Sequence, residues 1–211
     1  ALEARLDAHL GDEEAWAIYA DWLQTAGDGR GELVALMAQG LDADAAHWAD
    51  RHHDALFGAV ARSTSVRPFT RYRPPAGPAD PIRVRRTEPM GPPDLIRGVQ
   101  WDHGFVATAA IDPEGDAALT KAFLRLPICR FLRAIGFGAA PNAPESFDRV
   151  IAAVREAAPA SLKQLVIGDF VYPEECEMSW AQLGDLSAAW RLKQIEALSI
   201  CAGTANLGAI D

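Results

Sequence analysis

Tyr19-Ala-Asp-Trp-Leu-Gln-Thr-Ala-Gly-Asp-Gly-Arg-Gly-Glu32 reads as the back half of an amphipathic helix, a sharp stop and the front of a second helix. Ala15, Trp16, Ile18, Tyr19, Trp22, Leu23 and Ala26 recur at three- and four-residue spacing, which gives the first helix one apolar face. Asp12 is placed to cap it, and Glu13 and Glu14 fall in the first turn, where the helix dipole favours negative charge. Gly27 closes it, because glycine takes the left-handed conformation of a helix stop without steric penalty. Asp28 is expected to cap the next helix, whose apolar set is Leu33, Val34, Leu36 and Met37. Asp21, Arg30 and Glu32 bracket the corner. Arg30 is expected to reach back to Asp21 in a bidentate pair that fixes the angle between the helices. Asp21, Trp22, Gly27, Arg30 and Glu32 are thus read as structural.

The order Tyr19-Ala20-Asp21-Trp22-Leu23, a gap, Gly27-Asp28, then Arg30-Gly31-Glu32 resembles the repeat-companion domain, a short helical module of bacterial paralogues, especially in myxobacteria and planctomycetes. The resemblance covers roughly the first forty residues. It implies a helical module set ahead of leucine-rich or similar repeats, and brings no activity, cofactor or catalytic residue with it.

A chain of 211 residues, nearly half of them apolar, can bury a sizeable core as one domain or two small ones. Its net charge of −9 disfavours nucleic acid as a partner of the whole surface. No apolar run reaches the roughly 18–20 residues of a membrane span, and the start has no charged-then-apolar signal pattern. Cys129, Cys176 and Cys201 are few and far apart, which suits reduced thiols in a cytoplasmic protein. None has a Cys or His neighbour at metal-ligand spacing, so no metal or cofactor is expected.

A first short helix is expected over Leu2–Leu10 and a later one from about Asp44 to Val60. His47, His52 and His53 lie in the later helix but are spaced five and one apart, so they do not share a ligating face. These elements make a helical domain over residues 1–64. A Pro/Arg-rich connector follows over 65–98, since proline removes amide donors and blocks helix. The short run Ile82–Arg86 could form an edge strand within it. Its arginines, Arg67 to Arg97, with Phe69 and Tyr72 beside them, offer an anionic-polymer or nucleic-acid strip as an alternative function. Pairing with the chain's own carboxylates is the favoured reading of them.

Residues 99–211 carry a repeat. Val106–Ile111, Leu132–Phe137, Leu162–Ile167 and Ile195–Ile200 fit a degenerate LxxLxL template, with starts 26, 30 and 33 residues apart. Between them, Asp116–Leu126, Pro144–Ala158 and Glu174–Trp190 have apolar residues at helical spacing. The expected fold is therefore α/β: a small N-terminal helical domain, then a leucine-rich-repeat-like βα solenoid with parallel strands. The solenoid is expected to be incomplete at its C-terminus, with self-association possible through that last edge.

No catalytic constellation stands out: there is no phosphate loop, nucleophile elbow or metal-ligand pair, and His103 is lone in the sequence. The reading is a non-enzymatic protein–protein interaction module or scaffold. Alternation along the strands puts Thr108, Ala134, Gly136, Gln164, Val166, Ala197 and Ser199 on the inner face, as the partner-binding set. They are small and uncharged, so an extended segment is expected to lie against them, either the connector or a partner's strand.

Overall fold

A computed structural model describes residues 2–64, 69–73, 96–112, 117–138, 146–170 and 181–208. Cys176, the run Ile82–Arg86 and most of the Pro/Arg-rich segment lie outside these.

The N-terminal part is helical: α1 (Leu2–Ala8), α2 (Glu13–Thr25), α3 (Arg30–Ala38), α4 (Asp42–Arg51) and α5 (His53–Phe57), followed by a tight helical turn over Gly58–Ser63. Asp12 caps α2 by accepting from the Ala15 N–H at 3.0 Å. At the other end Gly27, at φ +72°, forms a Schellman stop. Its N–H bonds to the Gln24 carbonyl and the Asp28 N–H to the Leu23 carbonyl. Gly31 then lets α3 cross close to α2: a Cβ there would lie 2.8 Å from the Gln24 nitrogen and 3.0 Å from the Ala20 oxygen.

Three expectations at this corner are corrected. Arg30 does not reach Asp21, which is exposed on the outer side of α2. It forks onto Asp28, two residues back, and donates to the Pro127 carbonyl at 2.9 Å. Asp28 does not cap α3 from the N-cap position, which belongs to Gly29; its carboxylate accepts from the Arg30 N–H instead. Trp22 and Ile18 are not core: they are 55% and 46% exposed, and Trp22 stacks on Tyr19. The buried face of α2 is the narrower stripe Ala15, Trp16, Tyr19, Ala20 and Leu23. The expected single helix from Asp44 to Val60 also breaks, at His52, where α4 ends and α5 begins.

The rest is a mixed, mostly parallel sheet with interleaved helices. Strands β1 (Ile96–Asp102), β2 (Phe105–Ile111), β3 (Ala134–Phe137), β4 (Gln164–Ile167) and β6 (Ala197–Ile200) lie in the order β1-β2-β3-β4-β6. β5 (Gln182–Asp185) and β7 (Thr204–Asn206) form a separate parallel pair. α6 (Ala117–Leu124) and α7 (Ser146–Ala157) connect β2 to β3 and β3 to β4. β1 was not foreseen: it starts inside the expected connector and forms an antiparallel hairpin with β2. Glu174–Trp190 was expected as helix; its described part instead holds β5 and a short turn over Ala189–Arg191.

From β2 to β6 the ladder runs in one register. Ala109, Ile135, Leu165 and Leu198 align, as do Ile111, Phe137, Ile167 and Ile200. Their side chains join Leu33, Met37, Trp48, Phe57 and Val60 of the helices in one apolar core, so helices and sheet are not separately cored. A second core sets Leu6, Trp16, Tyr19 and Leu23 against Phe105 and Phe131.

Candidate functional site

The opposite face of the same ladder carries the inner row. Thr108, Ala134, Gln164 and Ala197 align in one column, and Ala110, Gly136, Val166 and Ser199 in the next. All seven residues singled out from the sequence therefore share this face. Their accessibility is uneven. Thr108 and Ala134 are fully buried, Gly136 and Val166 are buried, Gln164 and Ala197 are half-buried, and Ser199 is exposed. Ala110, Ala134 and Val166 make a small apolar cluster of their own. The Thr108 hydroxyl donates to the Gln100 side-chain oxygen at 2.9 Å. The Asp169 side chain folds over Gly136, where a Cβ would come within 2.6 Å of its Oδ2. Over β2 and β3 the row is thus closed, and accessible surface begins at Gln164 and widens to Ser199.

A cleft of about 290 Å³ adjoins Gln164 and Ala197 and is lined as well by Leu10, Tyr72, Arg133, Ser161, Lys163 and Glu196. Arg133, Lys163 and Glu196 each occupy the position just before a strand. Their backbones hand on the same bond from strand to strand. The Arg133 N–H donates to the Ala107 carbonyl, Lys163 and Gln164 to that of Arg133, and Glu196 and Ala197 to that of Lys163. Their side chains form a charged row: Arg133 pairs with Asp102 and lies over the Tyr72 ring at 4.7 Å, and Lys163 pairs with Glu196 at 3.0 Å. The sequence reading missed this row. The signal was present, because the second position of three successive templates is Arg, Lys and Glu.

The helices meet the sheet at the hairpin turn Asp102–Phe105. His103 and Gly104 both take positive φ, the pattern of a two-residue hairpin turn. His103 stacks flat on Trp16 at 4.6 Å between ring centroids, and its Nε2 lies 3.2 Å from Glu13. Its Nδ1 is 3.0 Å from Asp102 but off the hydrogen-bond axis, so that contact is an ion pair. Burial alone would pull the imidazole down; the Asp102 and Glu13 carboxylates outweigh it and hold the ring above its ordinary value. Burial likewise opposes ionisation of Asp102, but His103 and Arg133 hold that carboxyl below its usual range. The Tyr19 phenol is pushed well above its usual value by burial and by its bond to Glu3. Arg130, bonded to Asp7 and set over Phe131, closes the same seam.

Of the connector's arginines, Arg71 donates to the Met37 carbonyl at 2.7 Å and pairs with Asp42. Residues 69–73 run along the outer edge of β1, where the Tyr72 N–H donates to the Trp101 carbonyl, the Trp101 N–H donates to the Thr70 carbonyl, and Phe69 stacks on Trp101. Of the connector 65–98, expected as one cover for the inner face, residues 65–68 and 74–95 lie outside the described residues. Among those described, no cluster of His, Cys, Asp and Glu could hold a metal ion, and no helix is long and apolar enough to cross a membrane. Cys129 is a buried free thiol, raised by its burial, and Cys201 is a half-buried one.

Compared with protein-family models, curated proteins and solved structures, the chain matches none.

Proposed function

We propose that the chain is a non-enzymatic protein-interaction module: a helical cap of the repeat-companion type on a short, leucine-rich-repeat-like solenoid. Three features support this reading. The strand-to-strand bond pattern repeats with one register, as successive turns of a solenoid would. One end of the ladder is sealed by the hairpin and the helices, through the aromatic seam at Trp16 and Phe131. Single-sign fields of the kind that draw polyanions are lacking on the described ladder, where Arg133 is paired with Asp102 and Lys163 with Glu196.

The observation that carries the proposal is the graded opening of the inner row, from buried Thr108 to exposed Ser199. A small, uncharged, accessible strand beside a mixed-charge cleft suits the backbone of another protein. The alternative, anion binding through Arg67 to Arg97, is weakened by the internal pairing of Arg71.

A photo-crosslinker at Ser199, with one at exposed Asp21 as control, tests the proposal in extracts of the source organism. The expected result is a discrete protein adduct from position 199 alone. Salt-sensitive retention on heparin or duplex DNA, with no protein adduct from position 199, would favour the alternative instead.

A further inference from the structure

Resting on that reading, we infer that β6 is a receptor for one extended strand of another protein, added parallel to it, with the pattern basic–small–aliphatic–small–aliphatic.

β6 ends the sheet order, paired with β4 on one side and with no described strand on the other. Ala197 and Cys201 send their N–H groups to β4, to the Lys163 and Ile167 carbonyls. Backbone groups alternate sides along a strand, so those of Leu198 and Ile200, and the Glu196 carbonyl, face outward. Each earlier carbonyl of this series, at Ala107, Arg133 and Lys163, receives N–H groups from the start of the next strand. Glu196 presents the next acceptor in that series.

The core columns show the same gap. Ile135 and Leu165 are buried to 1% or less, and Phe137 and Ile167 completely. Leu198 and Ile200, next in those columns, are only half-buried. Two aliphatic side chains on an adjoining strand, at its third and fifth positions, would complete both columns. The row between them demands small residues, as Ala134 and Gly136 do on β3.

Charge sets the first position. Glu196 pairs with Lys163 on its β4 side, while its side chain is 70% exposed. A Lys or Arg opening the incoming strand would sit on its free side. This also argues against a second copy as the occupant. Two-fold symmetry makes β6–β6 pairing antiparallel. It sets Glu196 against the Ile200 end of its mate, where no cation is offered.

The test uses the intact chain and a fluorescein-labelled peptide, Ser-Lys-Ala-Leu-Thr-Ile-Ser, read by anisotropy. Binding should weaken roughly three- to ten-fold when the peptide Lys is replaced by Glu. Glu196→Lys should reverse that preference. N-methylation of the peptide Thr amide removes the N–H aimed at the Leu198 carbonyl and should cost roughly ten-fold or more. The chain alone should sediment as a monomer. Equal binding of the Lys and Glu peptides, or indifference to N-methylation, overturns the proposal. So does a dimer that Glu196→Lys disrupts, which would make a second copy the occupant. If Glu196→Lys fails to fold, the peptide arms on the unaltered chain decide. A protein adduct at Ser199 that excess peptide leaves unchanged would keep the interaction reading and reject strand addition.

Discussion

Arg30 shows how a residue can be legible in kind and not in partner. Its position in the corner marked it as structural, yet Asp21 and Asp28 were both within reach in sequence. The Schellman stop turns Asp28 toward the start of α3, and the Pro127 carbonyl, distant in sequence, takes the rest of the guanidinium. Arg30→Ala should cost about 1–3 kcal/mol, because it strips a half-buried carboxylate and a carbonyl of their donor. In double-mutant cycles by urea denaturation, Arg30→Ala should couple with Asp28→Asn and add independently with Asp21→Asn. The reverse outcome would restore the sequence reading. His103 was read as a lone structural histidine; the structure adds the neighbouring Asp102 carboxylate and, from α2, the Glu13 carboxylate and the Trp16 indole face. Because its folded value is raised, its stabilisation is complete below the ordinary histidine range, near 6.5, and is lost as pH rises through the folded value. Thermal midpoints of the unaltered chain should therefore fall across that window. His103→Gln should flatten this slope, and an unchanged slope would assign it elsewhere. Asp102 acts in the opposite direction: its contribution is present above about 3.8 and lost as pH falls through its lowered value.

At the scale of elements, the strands of the ladder were readable because each buries one face against a continuous core, which imposes the period-two pattern. β5 was not. Leu183 and Leu186 sit three apart and suit a helix as well as a strand, and the bonds that decide the matter come from β7, a partner local periodicity cannot see. β1 was hidden differently. Two register shifts against β2 break its alternation, and the prolines before it dominate the local composition. The α2–α3 crossing gives an element-scale prediction. Gly31→Ala places a methyl within 2.8 Å of α2 backbone and should cost about 1–3 kcal/mol by overpacking. Gly11→Ala, with nothing within 4 Å and no positive φ, is the control and should be near neutral in the same denaturation assay. Equal effects would mean that the helices do not cross this closely.

On the scale of the whole molecule, the division into a helical domain and a repeat domain was a statement about sequence pattern. Packing joins the two, with Trp48 and Phe57 in the same core as Ile135 and Leu165. The inner row could be read as a face because register follows from alternation. Which part of it is open could not, because closure depends on Asp169 and Gln100, which no periodicity places there. Among the described residues the ladder is sealed at its helical end and has no strand paired to the outer side of β6. Amide hydrogen exchange of the chain alone, resolved residue by residue by NMR, shows whether that edge is uncovered in solution. Slow exchange is expected for β3 and β4 and, along β6, alternation: Ala197 and Ser199 protected, Leu198 and Ile200 exchanging fast. Leu198 and Ile200 amides as protected as their neighbours would contradict it, because the edge would then already be covered.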